Sequence, residues 1–355
     1  MTLFSRIAEF PVQIETIDFI KHEQDTSSDF TRKTTEIILS GKGKSGRGED
    51  VTYEADEHDA VDEQQPDFPL AGAFTLGDFS ELLEEMDLFF GRDPGHKAFC
   101  NYRRWGFESA ALDLALKQAG TNLAKVFGLQ YNPVEFVVST RLGDSPSMER
   151  LEQLLKANSE LKFKLDPTPE WTPDLMDQIA ATDTVRILDF KGLYENTIVD
   201  NPPEPWLYRE LIARFPDAVI EDPADTEEIR KIIAPEKERL SWDYPVKHIQ
   251  SIEELPFSPR WLNIKPSRFG SLKALLDTID YCRKHEITMY GGGQFELSVG
   301  RDQIQGLASL FYPDSPNDVA PGVYNMPEVT GTEAPLSPLK PADDLTGFEW
   351  KYDNS

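Results

Sequence analysis

VRILDFKG at Val185–Gly192, AVIEDP at Ala218–Pro223 and RLSWDYP at Arg239–Pro245 share one pattern, a short apolar run ending in an acid. A run of this length, bounded by turn-forming residues, reads as a strand buried on both faces. The pattern extends to VEFVVST (134–140), LKFKLDP (161–167), WLNIKPS (261–267) and ITMYGGGQFE (287–296). Amphipathic stretches such as Ser147–Asn158, Leu207–Phe215 and Ser271–His285 lie between these runs. Alternating strands and helices predict a parallel sheet, and seven or eight such units suggest a closed barrel.

Ahead of this region the chain reads as α+β. Val12–Phe19 and Thr34–Ser40 are expected strands, and GKGKSGRGED (Gly41–Asp50) has the composition of a hairpin turn. Glu54–Pro69 is acidic and proline-punctuated, which predicts a loop. Thr75–Phe90 and Phe107–Ala119 have helical spacing, the second halted by Gly120. GKGKS is not a phosphate loop, because Ile38 stands where the first glycine is needed and no helix follows.

The bulk composition narrows the function. With 63 acids against 36 bases the formal charge is −27, a field that repels nucleic acid and anionic membranes. No apolar run approaches the roughly 20 residues needed to span a bilayer. MTLFSRIAEFPVQIE has early acid and no basic stretch before a long apolar run, so no secretory leader is expected. Two distant cysteines, Cys100 and Cys282, do not make a disulfide framework and point to a reducing, cytoplasmic setting.

The charges at the ends of the apolar runs carry the chemistry. Lys162 and Lys164, Asp189, Glu221, Asp243, Lys265 and Glu296 each fall where a buried strand would emerge, about one strand–helix unit apart. In a barrel, the C-terminal ends of the strands meet at one mouth. Three converging carboxylates repel one another unless a cation sits among them, and an oxygen-preferring ion such as Mg²⁺ suits Asp189, Glu221 and Asp243. Lys164 and Lys265 would then face each other across that ion. Lowered in pKa by the ion, a lysine there could remove a proton α to a carboxylate and give a metal-stabilised enediolate.

These motifs resemble the enolase superfamily, in its muconate-lactonizing and o-succinylbenzoate-synthase-like group. Lys162-Phe163-Lys164 resembles that group's K-x-K motif, and Lys265-Pro266-Ser267-Arg268 its second lysine motif. GGGQFELSVG is similar to its G-G-x-x-E stretch, which places Glu296 near the site. RWGFESAALDLALKQAG (104–120) and GRGED (46–50) resemble the helix leading into the barrel and a turn of the capping domain. The resemblance implies an α/β fold: a modified TIM (β/α) barrel at 131–325, an N-terminal α+β capping domain at 1–130 and an extended C-terminal strap at 326–355. It also implies capping loops around Phe19–Thr31 and Asp50–Gln64 over the mouth.

The implied activity is that of a Mg²⁺-dependent isomerase or lyase. Lys164, Lys265 and Lys162 would be catalytic; Asp189, Glu221 and Asp243 would bind the metal; Lys191, Arg268 and Glu296 would stand beside the substrate. Cycloisomerisation, syn-dehydration and racemisation share the first half-reaction. The partner implied is a small carboxylate, with self-association left open. Two departures stand out: Lys191 replaces the usual Asn, and Tyr244 the usual Glu. Lys191 keeps a catalytically inactive binding or scaffold barrel among the alternatives. The five histidines show no metal spacing and none ends the seventh strand, which disfavours an acid-sugar dehydratase.

Overall fold

β-Branched and aromatic residues alternate with polar ones over Val12–Phe19, and the chain forms strands there. In the computed structural model, which describes residues 2–28, 30–194, 201–329 and 334–353, β1 (Pro11–Ile14) pairs with β5 (Gly72–Thr75). β2 (Thr16–Asp25), β3 (Thr31–Gly41) and β4 (Lys44–Asp50) make an antiparallel meander. The hairpin turn is only Lys42–Gly43, both with positive φ. The rest of the expected turn is strand β4, whose glycines serve packing. A side chain at Gly46 or Gly48 would strike the backbone of the helix Lys97–Gln118, which lies across this strand.

Two other expectations are corrected. Residues Ala55–Gln64 are helical rather than a loop. The segment is too acidic to show an apolar stripe, and polar contacts hold it: His58 bonds Thr35 Oγ1 and the Thr52 carbonyl, each at 2.8 Å, and Glu57 pairs with Arg92. The helix expected at Phe107 begins at Lys97, where His96 accepts the Ala98 N–H; the buried Gly106 hides the continuity of its first turns in the sequence.

The seven apolar runs all form parallel strands, in the spatial order of the sequence: β6 (Val138–Thr140), β7 (Phe163–Leu165), β8 (Val185–Asp189), β9 (Val219–Glu221), β10 (Leu240–Trp242), β11 (Trp261–Ile264) and β12 (Thr288–Gly291). Residues 313–318 stand in for an eighth. Asp318 N–H donates to the Gly291 carbonyl on the β12 side, and the Asn317 carbonyl accepts from Val137 N–H beside β6, both at 2.8 Å. The buried Asn317 side chain completes the closure, accepting from Gly291 N–H and donating to three carbonyls. Val137, Ile187, Val219 and Tyr290 form a small second core, apart from the main one, that fills the barrel below its mouth. The capping domain and the (β/α) barrel thus make up the fold. No helix among the described residues is long and apolar enough to cross a membrane.

The tail is more than a surface strap. Leu339 bridges Val134, Gly347 bridges Asn122, and Phe348 and Trp350 are fully buried. Phe348 N–H donates to Asp113 at 2.8 Å, and Trp350 packs on Gly306 of the helix Val299–Phe311.

Candidate active site

Because consecutive parallel strands lie side by side, their C-terminal residues become neighbours whatever their separation in sequence. Asp189, Glu221 and Asp243 are completely buried, and one oxygen from each lies within 4.8 Å of the others. Three oxygen donors at this spacing fit a hard divalent cation. The donor set therefore suits the metal that the sequence implied, although each acid also meets cations of the chain.

Lys164 Nζ lies 2.6 Å from Glu221 Oε1, 3.0 Å from Asp189 Oδ2 and 3.5 Å from Asp318 Oδ2. Lys265 Nζ lies 2.8 Å from Asp243 Oδ2. Arg268 reaches both oxygens of Asp243, Nε at 3.0 Å and Nη2 at 3.2 Å, though Nε is not aligned to donate. Lys191 pairs directly with Asp189. The two lysines that the sequence offered as catalytic thus flank the acids from opposite ends, one on Asp189 and Glu221, the other on Asp243.

These pairings set the protonation states. Burial by itself would lower the Lys164 pKa, but Asp189, Glu221 and Asp318 outweigh it and hold it well above the usual range. With no ion among the acids these carboxylates favour the ammonium form of Lys164; the neutral lysine expected from sequence belongs to the ion-bound site. Asp189 is buried, yet Lys164 and Lys191 pull it down to about 2. Arg268 and Lys265 likewise hold Asp243 well below the carboxylate range despite its burial. Glu221 is pushed up to about 7 by burial and the Asp189 charge, against the pull of Lys164.

Several residues of the site escaped the sequence reading. Asn263 Nδ2 and Tyr290 OH donate to Glu221 at 3.0 and 2.7 Å. Tyr194 OH donates to Asp243 at 3.0 Å. Asp222, next to Glu221, accepts the backbone N–H groups of Asp243 and Tyr244, each at 2.8 Å. Asp318 comes from the segment replacing the eighth strand, where no apolar run marked a strand end. Asn263 and Tyr290 were hidden in strand interiors, and their inward direction is readable only once the register is known.

Two expected strand-end residues are placed differently. Lys162 is partly exposed and its Nζ is 3.4 Å from the Asp183 carbonyl, at the N-terminal end of β8, so its contact is away from the acids. Glu296 is not at a strand end but five residues beyond β12. It accepts the Gln294 N–H at 2.7 Å and lies 3.4 Å from Arg301. The glycines before it have a local cause: a side chain at Gly292 would strike Asn263 and the Lys265 stem.

The capping domain meets the mouth through Arg32, which donates to the carbonyls of Val51, Thr52 and Gln294. Tyr53 OH donates to Gln294 Oε1 at 3.0 Å, and the Phe30 and Phe295 rings meet edge to face. Of the two expected capping loops, Ser27 and Phe30 of the first and Tyr53 of the second touch the barrel, and Phe19–Asp25 belongs to β2.

The chain is similar to o-succinylbenzoate synthase of Bacillus subtilis, at 24% identity over 220 residues, 61% of this chain and 58% of that protein. The aligned stretch thus spans under two thirds of that relative. It is also similar to o-succinylbenzoate synthase of Enterococcus faecalis, at 23% identity over 80% of this chain and 77% of that one. Among solved structures, a mandelate racemase/muconate lactonizing protein from Herpetosiphon aurantiacus superposes with a TM-score of 0.70 at 14% identity, covering 96% and 99% of the two chains. Family models described as the N-terminal and C-terminal domains of "Domain of unknown function (DUF8230)" match residues 5–126 and 130–326. The chain therefore belongs to the DUF8230 family and is built on the enolase-superfamily fold.

Proposed function

We propose that this protein is a divalent-metal-dependent enzyme that moves the proton α to the carboxylate of a small organic acid, with Lys164 and Lys265 as the proton-transfer groups. The observation that carries this reading is the placement of those two lysines at opposite ends of the buried acids. Asp189, Glu221 and Asp243 would hold the ion, and their all-oxygen donor set favours Mg²⁺. When bound, the ion supplies positive charge for carboxylate oxygens of the substrate and offsets the acids' field on Lys164.

Lys164 removes the α proton, and the electron pair left on carbon is delocalised onto the carboxylate oxygens. Lys265, facing the other side, returns a proton or steadies the developing charge. Arg268 orients Asp243 through its two contacts. Elimination, ring formation or racemisation can follow the same first step, and similarity to o-succinylbenzoate synthases favours elimination. Two free cysteines, Cys100 and Cys282, favour a reducing compartment such as the cytoplasm.

The test is solvent-deuterium exchange into a panel of succinylated and N-acylated acids with Mg²⁺, followed by mass spectrometry. Exchange should vanish in Lys164→Ala and in Lys265→Ala. Exchange that survives both substitutions would overturn the assignment. A second reading, an inactive binding barrel, is favoured by the Lys191–Asp189 pair and predicts no exchange with any acid and no Mg²⁺ uptake.

A further inference from the structure

Both oxygens of Asp189 are already engaged. Its Oδ1 accepts the Lys191 backbone N–H at 3.2 Å, and its Oδ2 carries two ammoniums, Lys164 at 3.0 Å and Lys191. A divalent cation and an ammonium compete for one carboxylate oxygen, because both need the same lone pairs and repel each other at that range. Lys164 is held additionally by Glu221 and Asp318, so Lys191 is the cation with less to keep it in place.

Lys191 also has somewhere to go. Its Nζ is 3.9 Å from Oδ2 of Asp166, the residue that follows β7. The other oxygen of Asp166, Oδ1, is buried and has no hydrogen-bond partner among the described residues. Arg141 is 4.0 Å from Asp166 Oδ2 and leaves Oδ1 unserved. A buried carboxylate oxygen without a donor is costly, and the long, unbranched lysine stem lets an ammonium reach it with little backbone change. The backbone of Lys191 is held in place, with positive φ and its N–H on Asp189.

We infer that Lys191 is a displaceable counter-ion, which rests on Asp189 in the metal-free protein and moves onto Asp166 when a divalent cation takes Asp189. The inference rests on the reading that the three acids hold such an ion. It gives the site a built-in competitor: Lys191 neutralises Asp189 in the empty protein and lowers its divalent affinity. After the move, the ammonium stands at the edge of the mouth beside Asp166.

The test is calorimetric titration of Mg²⁺ alone into the full chain and into Lys191→Gln, Lys191→Met, Asp166→Asn and the Lys191→Gln/Asp166→Asn double variant, with circular dichroism to verify folding. The neutral Lys191 variants should bind Mg²⁺ about tenfold tighter or more, since the ammonium that has to leave Asp189 is gone and only Lys164, which Glu221 and Asp318 also hold, remains there. Asp166→Asn should bind several-fold weaker, and the double variant should match Lys191→Gln. A simple loss of negative charge at Asp166 would instead weaken binding in both backgrounds, which would overturn the inference. So would Mg²⁺ uptake that is abolished by Asp189→Asn but no tighter in either Lys191 variant, which would leave the metal reading intact. Absence of Mg²⁺ uptake from the wild-type chain and all variants would remove the metal reading and the inference together.

Discussion

Asp222 accepts the backbone N–H of Asp243 at 2.8 Å through one oxygen and that of Tyr244 through the other. It never touches another acid's cation in doing so; it fixes where the next strand's acid stands. Its own backbone has positive φ, and burial with the Asp243 and Asp189 charges raises its carboxyl to about 8. Each carboxyl oxygen of Asp222 accepts one of the two N–H groups, whereas an asparagine offers one oxygen only. Asp222→Asn should therefore weaken Mg²⁺ binding by about 10- to 100-fold while the chain stays folded, as read by calorimetry and circular dichroism. Unaltered Mg²⁺ affinity would show that Asp243 is held by its cations alone.

Glu49 ties the two parts of the molecule together. From β4 it accepts the N–H groups of Leu297, Ser298 and Gly300 at 2.7, 3.1 and 2.8 Å, where the helix Val299–Phe311 begins. A carboxylate there satisfies N–H groups that the helix leaves open and meets the positive end of its dipole. Glu49→Gln turns one acceptor into a donor against those N–H groups. It should cost about 1.5–3 kcal/mol in chemical denaturation. A midpoint unchanged from wild type would mean that the helix start is satisfied without it.

Trp350 tests whether the tail belongs to the core. Fully buried against Gly306, it is expected to lose about 3–5 kcal/mol on replacement by Ala. Thermal unfolding of Trp350→Ala is the measurement, and a shift of only a degree or two would make the tail a dispensable strap.

Glu36 supplies a pH prediction. Burial would raise its pKa, but His22 at 3.0 Å and Arg47 at 2.5 Å pull it from the usual 4.5 down to about 2. A carboxyl held lower in the folded chain than in the unfolded one stabilises the fold above its unfolded pKa. That contribution is lost as pH falls from about 4.5 through about 2. Glu36→Gln should lower stability at neutral pH and flatten its decline over that acid range, as read by urea denaturation at a series of pH values. Parallel declines for the two proteins would show that Glu36 is not linked to acid unfolding.

Legibility followed the kind of signal each segment carried. All seven barrel strands were readable because each is a short apolar run between amphipathic helices, a pattern that local hydrophobicity writes directly. The acids Asp189, Glu221 and Asp243 were readable because a charge ending such a run has a place to go only at the barrel mouth. Residues 55–64 were misread because their helix is held by His58 and Glu57 contacts rather than by an apolar stripe. Glu296 was taken for a strand end because the run ITMYGGGQFE reads as one segment, whereas β12 stops at Gly291 and two more glycines carry the chain on.

The sequence by itself determined the strand–helix alternation, the α/β class and the acids that meet, since these depend on periodicity and on parallel strands ending at one face. Only the tertiary structure decided which cation sits on which acid: that Lys191 rests on Asp189, that Asp318 comes beside Lys164 and that Lys162 contacts a carbonyl away from them. The physical reason is range. Periodicity is a property of neighbours in the chain, whereas an ion pair depends on a few ångströms between residues whose separation is fixed by barrel closure and side-chain direction.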